Sequence, residues 1–256
     1  MVPILKAKYG EFDERDWRKV QRADEEFALC TGCQGNCLKA NSQWIQPVVR
    51  VEDGAVCVSA VSCKYARVNR IKSRGRLAKI PPIYIGKTFA DYQQTADNSM
   101  GLDVAKWLVE DKPEKGAYFY GGSGTGKTFL ASIVAQEYLG DGYRVIFGDV
   151  PSLLSDIKAT FDTKESTAAF IEELVSADLL VLDDIGVENV TEWSTEQLYR
   201  LINGRYNEGK PTLVTSNYDF DGLAERYKTS VIANRLTGRL REKSAIAFFG
   251  NHDRRQ

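Results

Sequence analysis

No stretch of this 256-residue chain is apolar for long enough to cross a bilayer, and charges follow soon after Met1. Neither a membrane span nor a secretory leader is expected, and the protein reads as soluble and cytoplasmic. Histidine is almost missing: the single copy, His252, lies at the far end of the chain. A metal centre elsewhere must therefore be built mostly from other ligands. Neither charge sign is in excess, with 34 Lys+Arg against 35 Asp+Glu, so the net charge of −1 argues neither for nor against nucleic acid. Cysteine is absent after Cys63, and all five copies fall between Cys30 and Cys63. In a cytosolic chain that clustering points to metal or free thiols rather than disulfides. With 43% hydrophobic and 27% charged residues, the chain can bury one full α/β core and a smaller module beside it.

What is present is organised around Gly121-Gly122-Ser123-Gly124-Thr125-Gly126-Lys127-Thr128. It fits G-x-x-x-x-G-K-[ST], the loop whose backbone N–H groups wrap a nucleotide's phosphates. In that pattern Lys127 reaches the β/γ oxygens and the Thr128 hydroxyl sits on Mg²⁺. The context agrees. Residues 116–120 are short, apolar and aromatic, as in a buried strand, and Leu130, Ile133, Val134 and Tyr138 then share one helical face that stops at Gly140 and Gly142. The nucleotide-binding set is expected to be Gly122, Ser123, Gly124, Thr125, Gly126, Lys127, Thr128 and Phe129. From about Ile83 onward strands and helices alternate, which implies a parallel sheet covered on both faces. Residues 143–147 read as a strand, followed by a helix bearing Leu153, Leu154 and Ile157 and another bearing Phe170, Ile171 and Leu174. The next strand, 179–184, ends in Asp183 and Asp184, where a buried strand delivers acids to a ligand. Asp183 fits the Mg²⁺-side carboxylate and Asp184 the group that orients or deprotonates the attacking water. Strand 211–217 exits at Asn217, placed to bond the γ-phosphate or the lytic water, or else to cap the following helix. A helix over 230–241 is expected to turn Val231, Ile232, Leu236 and Leu240 inward, with Arg235, Arg239 and Arg241 between them. A last strand, 245–249, makes five.

The first eighty residues are a different kind of sequence. Trp17, Val20 and Phe27 are spaced as on an amphipathic helix, which either binds a partner or covers the module behind it. Cys30-x-x-Cys33 and Cys37, answered by Cys57 and Cys63, are spaced as in a small tetrahedral zinc site. The favoured ligands are Cys30, Cys33, Cys37 and Cys63. Cys57, inside the strand-like 55–58 run, reads as a buried small residue, although either Cys37 or Cys57 fits as the remaining ligand. From Lys64 to Lys79 there are seven basic residues and no acidic one, followed by Pro81-Pro82. That run is a solvated linker, a track for a nucleic-acid backbone, or both. The expected organisation is a Cys-rich zinc-binding domain over 1–66, a basic linker over 67–82 and an ATPase domain over 83–256.

Taken together, these motifs resemble the DnaC/DnaI-type replicative helicase loaders, a branch of the AAA+ ATPases within the IstB-like ATP-binding family. The likeness rests on GGSGTGKT, LLVLDDIG (179–186), the Ile202-Asn203-Gly204-Arg205-Tyr206 helix end, KPTLVTSN (210–217), ANRLTGRL (233–240) and the terminal Gly250-Asn251-His252-Asp253-Arg254. Cys63-Lys64-Tyr65 looks like part of the zinc-binding N-terminal domain of the DnaI-like members. The resemblance implies a P-loop AAA+ fold with a five-stranded parallel sheet, lacking a C-terminal lid and preceded by the zinc module. It implies Asn217 as sensor 1 and Arg239 as an arginine finger acting on the adjoining subunit, with Arg235 in the same helix. The catalytic set is then Lys127, Asp184, Asn217 and Arg239, with ATP/ADP, Mg²⁺ and Zn²⁺ as ligands. The implied partners are a hexameric replicative DNA helicase held by the N-terminal domain, single-stranded DNA, and other copies of the ATPase domain, with no membrane. Two features depart from the family. The zinc module lacks the usual histidine, and Asp184 stands where many AAA+ enzymes carry a longer Glu, which implies slow hydrolysis suited to a switch. An IstB-type helper of transposition, acting on duplex DNA, shares the same core.

Overall fold

The computed structural model describes residues 1–31, 45–63, 71, 74–76, 78–162, 166–228 and 230–253. Its internal contacts divide the chain into two units, Met1–Arg70 and Ile71–Gln256.

In the first unit, helices α1 (Val2–Tyr9) and α2 (Trp17–Thr31) accompany the strands β1 (Ile45–Glu52) and β2 (Ala55–Ser62). The strands pair antiparallel, with Glu52 opposite Ala55. Asp53 and Gly54 between them both have positive φ, the geometry that a two-residue Asp-Gly loop adopts between twisted strands. Leu5, Phe12, Val20 and Val56 form the core, with Val49, Val51 and Val58 packed against it. Val20 is thus an inward residue of a helix, as its spacing predicts. Cys57 is not the buried residue expected; it is exposed, because Val56 and Val58 face the core and strand alternation turns the residue between them outward. Cys30 and Cys63 are half-buried free thiols. Cys33 and Cys37 lie outside the described residues, among which no group of three or more His, Cys, Asp or Glu is placed to hold a metal ion.

The second unit is built on five strands: β3 (Gly116–Tyr120), β4 (Val145–Asp149), β5 (Leu179–Ile185), β6 (Thr212–Ser216) and β7 (Ser244–Phe248). They lie in the order β4-β5-β6-β3-β7 and every pairing is parallel. Alternate strand residues serve opposite faces, as the period of two requires. Ala117, Phe119, Val145, Phe147, Val181 and Leu213 meet helices α3 (Ser99–Asp111) and α4 (Lys127–Asp141). Tyr118, Leu180, Leu182 and Val214 meet the other helices: α5 (Val150–Ala159), α6 (Thr167–Ser176), α7 (Glu192–Asn207), α8 (Phe220–Arg226) and α9 (Val231–Glu242). The five-stranded parallel sheet with helices on both faces is therefore as the sequence predicts. Among the described residues, no helix is long and apolar enough to cross a membrane.

Three local details differ from the sequence reading. Strand β4 begins at Val145 rather than Tyr143, because the helix before it consumes Gly142 and Tyr143. Their amides return to Leu139 O and Tyr138 O at 3.1 and 3.0 Å, closing a left-handed cap. Within the stretch expected as a basic linker, Ala78 and Ile80 are buried in the core of the second unit, and Phe147 N donates to Ala78 O at 2.8 Å. On α9 the inward set is Ala233, Leu236, Thr237 and Leu240, while Val231 and Ile232 are 69% and 37% exposed. The four buried positions recur at three- and four-residue steps, and Val231 and Ile232, at the start of the helix, lie to one side of that stripe.

Candidate functional site

Strand β6 is inserted between β3, which carries the glycine loop, and β5, which carries the acids, while the chain itself runs from β3 to the far edge at β4. This reversal opens a crevice at the carboxyl ends of the strands, where ligands of open α/β sheets bind. The loop after β3 fills it. Gly126 sits at φ 98° and caps α4, so the loop's amides and the positive end of the helix face one point.

Lys127 is only 5% exposed. Its Nζ donates to Gly121 O at 2.8 Å, Gly122 O at 2.7 Å and Asn217 Oδ1 at 3.0 Å, so the lysine and the end of β6 meet across the mouth of the loop. Thr128 Oγ1 donates to Asp183 Oδ1 at 3.0 Å. A hydroxyl and a carboxylate at the foot of a phosphate loop are the hard oxygen donors that Mg²⁺ takes, so these two residues fit that ion. Thr215 completes the arrangement: its Oγ1 donates to Asp183 Oδ1 at 2.6 Å and accepts from Asp184 N at 2.9 Å. Burial pushes the Asp183 carboxyl up to about 6, with the hydrogen bonds from Thr215 and Thr128 pulling the other way and the Asp184 charge adding to the rise. The loop is braced from behind by the chain leaving β7, where Gly122 N donates to Gly250 O and Phe249 N to Tyr120 O, both at 2.8 Å.

A cavity of about 470 Å³ adjoins these groups, a size suited to a nucleotide. It is lined by residues 123–129, Asp184 and Asn217 on one side and by Tyr84, Asp91, Tyr92 and Gln93 on the other. Phe129 joins the two sides: its ring meets Tyr84 edge-on at 5.3 Å and Tyr92 at 6.0 Å. The cleft thus offers a cationic, amide-rich end and an aromatic end, one suited to phosphates and the other to a flat base.

Of the residues expected from the sequence, Ser123 to Phe129, Asp184 and Asn217 line this cleft, and Asp183 reaches it through Thr128. Arg239 does not. Its guanidinium lies over the Tyr206 ring at 3.9 Å and faces Glu242 at 3.9 Å, on the surface of α7 and α9. The sequence reading missed Tyr84, Tyr92, Gln93 and Thr215. The first three belong to the aperiodic 83–94 stretch, where the usable signal was a cluster of aromatics upstream of a glycine loop. Thr215 was readable as the polar residue interrupting an otherwise apolar strand.

Comparison with known proteins agrees with this geometry. The family described as IstB-like ATP binding protein matches residues 63–256. YdaV of Escherichia coli (strain K12) is 29% identical over 160 residues, covering 61% of this chain and 63% of YdaV, just under two thirds of that relative's length. Replicative helicase loader DnaC of the same strain is 25% identical over 206 residues, covering 79% of this chain and 82% of DnaC. The crystal structure of the DnaC helicase loader superposes with a TM-score of 0.55 at 25% identity, over 66% of this chain and 99% of that one. The match includes every strand of the sheet and every residue of the phosphate end of the cleft, and the chain belongs to the family of IstB-like ATP-binding proteins.

Proposed function

We propose that this chain is an ATPase that helps to load a replicative DNA helicase onto single-stranded DNA. The observation that carries the ATPase reading is the convergence of Lys127, Thr128, Asp183, Asp184 and Asn217 at the N-terminus of α4. The loop amides and Lys127 hold the triphosphate, and Thr128 with Asp183 would hold Mg²⁺, which neutralises charge on the β/γ oxygens. Asp184 takes the proton of the attacking water and Asn217 orients that water or the γ-phosphate. Arg239 serves the cleft of a neighbouring copy, a role consistent with its place outside its own. Aspartate in place of a longer acid makes turnover slow, as suits a switch read out by assembly.

The loader reading is supported by the similarity to DnaC, a protein named as a replicative helicase loader. Here the first unit holds the helicase, ATP drives self-association of the second, and hydrolysis releases the loader. A family description naming IstB favours a second reading, an ATPase helper of transposition acting on duplex DNA. One experiment separates the two: co-purification with the replicative helicase of the same source, with and without ATP. Capture of the helicase is expected. No capture, together with ATP-dependent binding to duplex DNA, would favour the second reading.

We also assign Cys30, Cys33, Cys37 and Cys63 to a structural zinc ion. The core of the first unit is small, and a structural ion would supply the stabilisation that so few buried residues do not. Elemental analysis of the purified protein is expected to find about one zinc per chain. A metal-free protein that melts normally would return these cysteines to plain thiols.

A further inference from the structure

Asp184, the acid assigned to the attacking water, has φ of +58°, in the left-handed region that aspartate enters more readily than most residues other than glycine. The turn it opens is held from two sides. On the β6 side, Asp184 N is bound to Thr215 Oγ1, and Ile185 O accepts from Ser216 Oγ at 2.8 Å where the register with β6 shifts. The other side is held by Glu188, a residue that no step of the proposed hydrolysis uses.

Glu188 is 3% exposed, and its carboxylate oxygens are bonded to a backbone amide and a tyrosine hydroxyl. Its Oε2 accepts from Gly186 N at 2.8 Å and its Oε1 accepts from the Tyr227 hydroxyl. Arg226 closes the same turn through the backbone, donating from Nε to Gly186 O at 3.0 Å and from Nη2 to Glu188 O at 3.2 Å. Gly186 itself has φ of +93°, and a Cβ there would lie 2.9 Å from the Tyr218 ring and 3.0 Å from Leu223. Arg226 ends α8 and Tyr227 caps it, and the same helix begins shortly after Asn217 and Tyr218. The Tyr218 carbonyl is fixed in turn by the Tyr118 hydroxyl at 2.7 Å. One buried cluster therefore ties the turn carrying Asp184 to the segment carrying Asn217.

We infer that Glu188 is a positioning residue, which through Gly186 N and the Tyr227 hydroxyl holds the turn that aims Asp184 at the attacking water. The inference rests on the reading of Asp184 given above. A carboxylate suits the place because it accepts at both oxygens, whereas an amide of the same shape accepts at only one. Small errors in placing a reacting group lower the rate without changing how the nucleotide is held.

The test compares Glu188→Gln, Tyr227→Phe and Asp184→Asn in the full chain for ATP affinity, kcat and melting temperature. Glu188→Gln is expected to lower kcat by about tenfold, with the ATP Kd within about twofold of wild type. Tyr227→Phe removes one of the two donors, and it is expected to shift kcat in the same direction by less. It also supplies the answer if the glutamine variant does not fold. A lower melting temperature with kcat unchanged well below the melt would overturn the inference and leave Glu188 a purely structural residue. Asp184→Asn separates the two failures. If that variant is slow while Glu188→Gln is as fast as wild type, the positioning role alone falls. If Asp184→Asn hydrolyses ATP at the wild-type rate, the reading of Asp184 falls and the inference with it.

Discussion

Lys127→Ala is expected to lower kcat/KM for ATP hydrolysis by about 10²–10³-fold, the scale of removing one preorganised charged donor from a developing transition state. The lysine is held in place by the protein itself: it is buried, and its Nζ is bonded to two loop carbonyls and to Asn217. Alanine leaves the fold of the loop to its glycines but takes away the only side-chain cation lining the cleft among the described residues. The measurement is phosphate release, with the melting temperature followed as a control on folding. Retention of wild-type turnover would show that the cleft is not the site of hydrolysis. The same variant also tests the in-trans role of Arg239. A copy with Lys127→Ala still presents Arg239, and a copy with Arg239→Ala still has an intact cleft. Mixing the two inactive proteins should therefore restore part of the activity, whereas each alone stays slow. If the mixture remains as slow as its components, Arg239 does not act on a neighbour.

The phosphate end of the cleft was legible because it is local in the chain. Eight successive residues make the loop, two make the acid pair, and the strands announce themselves by short, mostly apolar runs. The aromatic end was not, since Tyr84 and Tyr92 come from a stretch with no period, and only the packing of that stretch against α4 brings them to Phe129. Glu188 and Tyr227 were hidden for a similar reason: they are far apart in sequence, and a lone glutamate after a strand ordinarily reads as solvated. On α9 hydrophobic character does not give direction: Val231 and Ile232 are exposed, whereas Ala233 in the same first turn is buried. The cysteine module shows the opposite limit. Spacing names its candidates, but it does not decide between Cys37 and Cys57, and the exposed side chain of Cys57 on its strand is a property of strand alternation rather than of spacing.

Replacing Arg205 with methionine should destabilise the second unit by about 3–5 kcal/mol, because several buried carbonyls lose their donor at a cost of about 1–3 kcal/mol each. Arg205 belongs to the INGRY stretch and looks from the sequence like an ordinary helix-end arginine. In the structure it is 1% exposed. Its Nη1 donates to Leu174 O, Val175 O and Ala177 O at 2.8, 2.9 and 2.9 Å, its Nη2 to Pro211 O at 2.5 Å, and its Nε to Thr212 Oγ1 at 2.9 Å. The first three acceptors close the C-terminal end of α6, where a helix leaves carbonyls without partners and a cation is favoured. The last two lie at the start of β6, the strand that carries Thr215 and leads into Asn217. One guanidinium thus joins the far end of the sheet to the helix beside it. Methionine fills much of the volume but leaves all these acceptors dry. Lysine keeps the charge, but its single nitrogen lacks the planar fork that reaches both groups of acceptors, so Arg205→Lys should recover only part of the loss. Burial lowers the Arg205 pKa to about 9, with the Asp178 charge opposing the shift. The folded value lies below the ordinary one, so the unfolded chain binds the extra proton only above about pH 9. Between pH 5 and 8 both states are protonated, and the gap between wild type and variant should not change with pH. For a unit of this size the expected loss corresponds to a fall in melting temperature of about 10 °C. A shift of less than about 2 °C by that scale would mean that water satisfies these carbonyls once the arginine is gone.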